Sequence, residues 1–76
     1  MHMGSDERRE EPVELDNVFV VRESEKALLC NIENEEVWIP KSMLLDGSDV
    51  GEDGDTGTLV IPRWLAVEKE IIEEED

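Results

Sequence analysis

The aspartates Asp46, Asp49, Asp53 and Asp55 stand within twelve residues, DGSDVGEDGDTG, interleaved with Gly47, Gly51, Gly54 and Gly57. Carboxylate oxygens in a glycine-rich turn are the raw material of a calcium loop, which must also close on a bidentate glutamate. Counting from Asp49, the third position is Gly51 and the twelfth is Val60; counting from Asp53, the twelfth is Trp64. Neither register supplies the oxygens, so no metal ligand is assigned. The adjacent Glu35 and Glu36, or Asp53 and Asp55, resemble an acid/base pair in type. Such a pair works only when unequal environments split its pKa values, and turn positions expose both members alike. Ser42 and Ser48 have only His2, in an N-terminal arm, as a basic partner, which leaves no serine triad. Gly51, Gly54 and Gly57 cannot cradle phosphate because the residues between them are acidic. Cys30, the single cysteine, lies in the apolar run KALLCNI and reads as a small core hydrophobe rather than a nucleophile. No catalytic residue, cofactor or metal follows, and the chain is expected not to be an enzyme.

Charge is the most informative bulk property. The 76 residues carry 22 acids and 7 Lys/Arg, a formal net charge of −15. Residues 1–16 contribute −4, residues 68–76 contribute −5 and the intervening body −6. Nucleic acids and anionic membranes are bound through clustered Lys and Arg that displace counterions. The body offers only Arg22, Lys26, Lys41 and Arg63, scattered, so direct binding to either is not expected. Three readings of the acidity remain open: a solvated surface, including one adapted to a salty cytoplasm; a face complementary to a basic protein; and cation binding.

With only Phe19, Trp38 and Trp64 as aromatics, the chain has enough apolar mass for one small core and no deep cleft. It holds no apolar run of membrane-spanning length, and a cytoplasmic location is expected. Residues 1–15 lack hydrophobic periodicity and read as a disordered acidic arm, its MHMGS opening resembling cloning residues. Residues 16–72 read as the folded domain and 73–76 as a frayed acidic tail.

The elements that must position these groups follow from alternation. NVFVVRES and KALLCNIE are strand-length runs joined by the polar turn ESEK. In the second run Leu28, Cys30 and Ile32 share one face, and Ala27, Leu29 and Asn31 the other. ENE is the next turn, with Asn34 tolerant of positive φ. EVWIP is a third strand that sets Trp38 opposite Val37 and Ile39 and ends at Pro40. Residues 46–57 compose a mobile acidic loop, TLVIP is a fourth strand, and Pro62 opens a helix, PRWLAVEKEII, with Trp64, Val67 and Ile71 on its apolar face. The expected class is mainly β: a small four-stranded antiparallel β-barrel or curled meander, SH3-like, with one C-terminal helix. Trp64 and Leu65 are expected to cover the sheet. The size of the domain favours a core position for Trp38; an outward position would make it an interface anchor, with Lys41 at the rim.

Several pieces of the chain resemble a family of small uncharacterised proteins common in phages, prophages and other mobile elements. They are Lys26, Ala27, Leu29 and Ile32; Glu36, Trp38, Ile39, Pro40 and Ser42; Asp46, Ser48 and Val50; Gly57, Thr58, Leu59 and Ile61; and Trp64, Ala66 and Lys69. The likeness covers about residues 23–72. It departs at Met43, where the family often has glutamine, and at Glu70, where it often has glycine. The second departure removes a glycine cap and lets the helix run on into the acidic tail. The resemblance implies a phage or mobile-element context and an accessory role, and it carries no known active site.

The expected function is therefore protein binding by an acidic accessory protein. Its partner would be a host or phage protein with a basic surface, such as a nucleic-acid-handling or defence protein. Glu33, Glu35, Glu36, Asp46, Asp49, Asp53 and Asp55 would carry the charge, with Trp38 and Lys41 as anchors. The alternatives are a self-associating module, forming a homodimer through strand edges or the Trp64 helix, and a cation-binding domain.

Overall fold

Alternation of buried and exposed side chains is clearest in β2 (Ala27–Ile32). Leu28, Cys30 and Ile32 are buried there while Ala27, Leu29 and Asn31 are half-exposed. A computed structural model describes residues 10–72, and it sets β2 between β1 (Pro12–Glu23) and β3 (Glu35–Pro40). β4 (Thr56–Pro62) lies on the far side of β1, giving the order β3-β2-β1-β4 with every neighbouring pair antiparallel. Three hairpin-linked strands and a fourth that returns to pair with the first make a Greek key. The sheet is open: β3 and β4 occupy its two edges and do not pair to close a barrel.

The turns have local causes. Glu33 and Asn34 connect β2 to β3 with φ of 53° and 72°, the two left-handed residues that a type I′ hairpin turn requires. At the β1–β2 turn, the Ser24 hydroxyl accepts the Ala27 N–H at 3.0 Å. β1 carries two irregularities. Asp16 and Asn17 together oppose Thr58, with Asn17 at φ 59°, and Val20 and Val21 together oppose Cys30. The first is a bulge of the type that uses a left-handed residue. It shifts the inward phase by one, so that Val13 and Leu15 on one side and Val18 and Val20 on the other all face the core side.

That phase shift corrects the expected start of the domain. Residues 12–15, assigned to the arm, are strand and pair with β4 as Pro12↔Pro62, Val13↔Ile61, Glu14↔Val60 and Leu15↔Leu59. Residues 1–9 of the arm and the tail 73–76 lie outside the described residues.

The connection from β3 to β4 must travel from one edge of the sheet to the other. A 3-10 turn (Lys41–Met43) starts it, and Val50 enters the core with Met43 and Leu44 packed at its border. Expected to be mobile, this segment is instead tied along its length. Leu45 and Asp49 donate backbone N–H groups to Val60 and Thr58 at 2.9 and 2.7 Å, and Gly54 donates to Val20 at 2.9 Å. Asp55 turns its carboxylate onto the N–H groups of Gly51 and Glu52, at 2.8 and 3.0 Å. At Gly57, within β4, this loop crosses close against the strand: a Cβ there would sit 2.9 Å from the Asp49 Cβ.

The helix α1 (Arg63–Glu68) closes the core against β4 and β1. Leu65 and Ala66 are its buried residues, while Trp64 and Val67 are half-buried. Leu65 covers the sheet as expected, whereas the apolar face centres on Leu65 and Ala66 rather than on Trp64 and Val67. Pro62 is the N-cap residue and the last of β4, so the helix starts one residue later than expected. Its end also differs from expectation. Glu70 takes φ 62°, its N–H meets the Val67 carbonyl at 2.9 Å, and the Ile71 N–H meets the Ala66 carbonyl at 2.8 Å. These are the paired bonds of a Schellman cap, built with glutamate in the position glycine normally fills. The helix therefore stops at Glu68 and does not run on.

Candidate binding surface

One face of the sheet is covered by α1 and the β3–β4 connection, and the other keeps exposed apolar side chains. Within β3, Ile39 is fully buried and Trp38 is 42% exposed. Trp38 is thus an outward residue, not the core residue that domain size favoured. The inward face of β3 is already filled by Val37 and Ile39, packed beside Leu28 and Cys30. Trp38 pairs across the strands with Leu29, which in turn pairs with Arg22. Phe19, 44% exposed, pairs with Asn31, whose other neighbour is Glu36. Trp38, Leu29 and Phe19 thus form a loose apolar strip across three strands, bordered by Glu36. Val21, the extra residue of the second bulge, is also 40% exposed.

The acids expected to act together are divided by this topology. Glu33, Glu35 and Glu36 cluster at the β2–β3 turn, next to Trp38 on the same edge of the sheet. Asp46 and Asp49 belong to the loop laced along β4, at the other edge. Three strand spacings, roughly 14 Å, separate the two edges. Asp53 and Asp55 lie at the end of the sheet remote from Glu33, where Gly54 and Asp55 pair with Val20. The Asp55 carboxylate is committed to its own loop.

Lys41 lies at that same end, and its ammonium donates to Glu23 Oε2 at 2.6 Å. Glu23 Oε1 also accepts the Asp53 N–H at 3.3 Å. The Lys41 hydrogen bond, followed by that from Asp53, holds the Glu23 carboxyl below its ordinary range. Lys41 therefore ties β3 to β1 and to the acidic loop. Glu23 was not singled out from the sequence because its partner is eighteen residues away and joins it only once the strands pair.

Cys30 is fully buried, and desolvation pushes its thiol up to about 11, so it packs as the expected small hydrophobe. Among the described residues, no three of His, Cys, Asp and Glu converge to hold a metal ion. No helix among them is long and apolar enough to cross a membrane. A half-open depression is lined by Glu14, Leu15, Asp16, Asn17, Asn31, Ile32, Glu33 and Asn34. Set against known protein families, curated proteins and solved structures, the chain matches none of them.

Proposed function

We propose that this chain is a non-enzymatic accessory protein of the phage or mobile-element type, which binds a basic surface on another protein. A nucleic-acid-handling or defence protein is the class of partner that fits, because carboxylates on the domain would stand where phosphates otherwise bind. One observation carries the reading: an exposed tryptophan, Trp38, on the same edge of the sheet as Glu33, Glu35 and Glu36, which have no ion-pair partner among the described residues. Exposed tryptophan is the residue type most enriched where binding energy concentrates. The net charge of −15 adds long-range attraction for a cationic partner and repulsion for a second copy.

The test is displacement of a labelled DNA duplex from a basic DNA-binding protein, read by anisotropy at low and high salt. Two double variants carry the same change of charge: Glu35→Lys with Glu36→Lys, and Asp46→Lys with Asp49→Lys. The proposal expects displacement by the native chain, loss of it with the first pair and near-native behaviour with the second. Equal loss with both pairs means that bulk charge acts without a site. No displacement at any salt concentration removes the reading.

A further inference from the structure

The two edges of the sheet are treated differently. At β4 both outward peptide groups of Val60 and the Thr58 carbonyl are occupied by the chain itself. The Val60 N–H and carbonyl bond to the Ser48 hydroxyl, the same carbonyl accepts from Leu45, and the Thr58 carbonyl accepts from Asp49. At β3 no such cover exists among the described residues. The Lys41 N–H donates to the Lys26 carbonyl, which fixes the alternation of the β2–β3 ladder. Leu28↔Ile39, Cys30↔Val37 and Ile32↔Glu35 are then the hydrogen-bonded pairs, and Leu29↔Trp38 and Asn31↔Glu36 are not. The N–H and C=O groups of Glu36 and Trp38 therefore point away from β2, into the open edge. No backbone or side-chain partner meets them among the described residues.

We propose that this edge receives an extended basic segment of the partner protein as a fifth strand, hydrogen-bonded to the main chain of Glu36 and Trp38. The inference rests on the reading of the chain as a binder of basic proteins and specifies how the contact is made. Charge selects the occupant. Glu33, Glu35 and Glu36 line the edge and its turn; Lys41, at the far end of β3, is engaged with Glu23 at 2.6 Å, and Arg22 stands two strands away, beyond Leu29. A second copy would bring the same glutamates together, and Pro40 lacks the N–H that would extend such a pairing. A cationic strand meets attraction instead. Glu36 and Trp38 share the outer face while Val37 and Ile39 share the inner one. The segment that fits alternates accordingly: lysine or arginine on the side of Glu36 and the Trp38 ring, where ion pairing and cation–π contact are available, and an apolar residue between.

The probe is a capped peptide of alternating lysine and valine, added to the full chain and followed by amide hydrogen exchange. A matched peptide is N-methylated on alternate residues, which removes its strand donors and keeps its charge. The Glu36 and Trp38 amides should slow in exchange on adding the first peptide. The methylated peptide should bind roughly tenfold more weakly or worse, for the loss of two main-chain bonds. Glu36→Pro should keep the native melting temperature, since its N–H has no ladder partner, and should lose peptide binding. If that variant unfolds, the methylation comparison decides alone. Equal binding of both peptides, or protection elsewhere on the surface, overturns edge pairing and leaves binding of basic proteins standing. If neither peptide binds and the chain also fails to displace DNA from the basic protein, both readings fall. Protection of Glu36 and Trp38 that rises with protein concentration alone identifies a second copy as the occupant and overturns the proposal.

Discussion

The Ser48 hydroxyl accepts the Val60 N–H at 2.9 Å and donates to the carbonyl of the same residue at 3.2 Å. One side chain thus does for the edge of β4 what a residue on an adjoining strand would do. With Leu45 and Asp49 on either side, it turns an acidic, glycine-rich loop into a cover for the sheet edge. Among the described residues the fold consequently has one edge laced to a loop and one open edge, and the open one carries Trp38.

Ser48→Ala should therefore be costly for a half-buried loop position. It leaves the Val60 N–H, in a residue only 3% exposed, without a partner. An orphaned buried donor costs about 1–3 kcal/mol, which in a domain of this size lowers Tm by roughly 4–8 °C per kcal/mol. Ser48→Thr retains the hydroxyl and should lose less. Thermal melts followed by circular dichroism decide it, and an unchanged Tm for the alanine variant would refute the role of the bridge.

At the helix end, Glu70→Gly should stabilise the protein. A glutamate at φ 62° carries the left-handed penalty of about 1–2 kcal/mol, and glycine removes it while losing part of the gain to a freer unfolded chain. Removing a negative charge from the C-terminus of α1 acts in the same direction. The net expectation is about 1 kcal/mol of added stability from urea denaturation. A neutral or destabilising result would mean that the cap does not form as described.

These two sites show where the sequence was legible and where it was not. Alternation in β2 is uninterrupted, so spacing alone grouped Leu28, Cys30 and Ile32 on one face, which the fold buries. In β1 the bulge at Asp16 and Asn17 changes the inward phase between Leu15 and Val18. A strand that shifts phase shows no continuous alternation, and its first four residues therefore looked like part of a charged arm. Trp38 was ambiguous for a different reason. Alternation gave its face relative to Ile39, but which face is inward depends on what β2 and α1 bring, and that is tertiary information. The Lys41–Glu23 pair and the Ser48–Val60 bridge join residues eighteen and twelve positions apart, beyond any local pattern. Glycine is the expected residue for a helix C-cap, and its absence at 70 pointed the wrong way because Ile71 and Ala66 hold the turn regardless.

The Cys30 thiol supplies a pH test. Burial raises it from 9.0 to about 11, so at pH 8 roughly one molecule in a thousand carries the thiolate. Iodoacetamide should react with Cys30 slowly in the native protein and fully in denaturant. The linkage sign follows from the same shift. Above pH 9 the unfolded chain releases a proton that the folded one keeps until about pH 11, so stability is complete below pH 9 and falls as pH climbs between these values. Cys30→Ala should lack this component of the alkaline decline, and parallel pH profiles for the two proteins would contradict the assignment.

Trp38 and Ile39 are neighbours in the chain on opposite faces of β3, and their truncation should separate stability from binding. Ile39→Ala removes a fully buried side chain and should cost about 2–5 kcal/mol through lost burial and the cavity left behind. Trp38→Ala removes a larger side chain that is 42% exposed. Its cross-strand partner is Leu29, a pairing worth roughly 0.2–1 kcal/mol. If Trp38 served the fold, the two variants would melt together well below the native protein. If it serves a partner, Trp38→Ala should fold with near-native Tm and lose affinity for the alternating lysine–valine peptide. Ile39→Ala, assayed below its own melting temperature, should bind that peptide as the native chain does. Denaturation curves and peptide titrations on the same two variants measure both quantities.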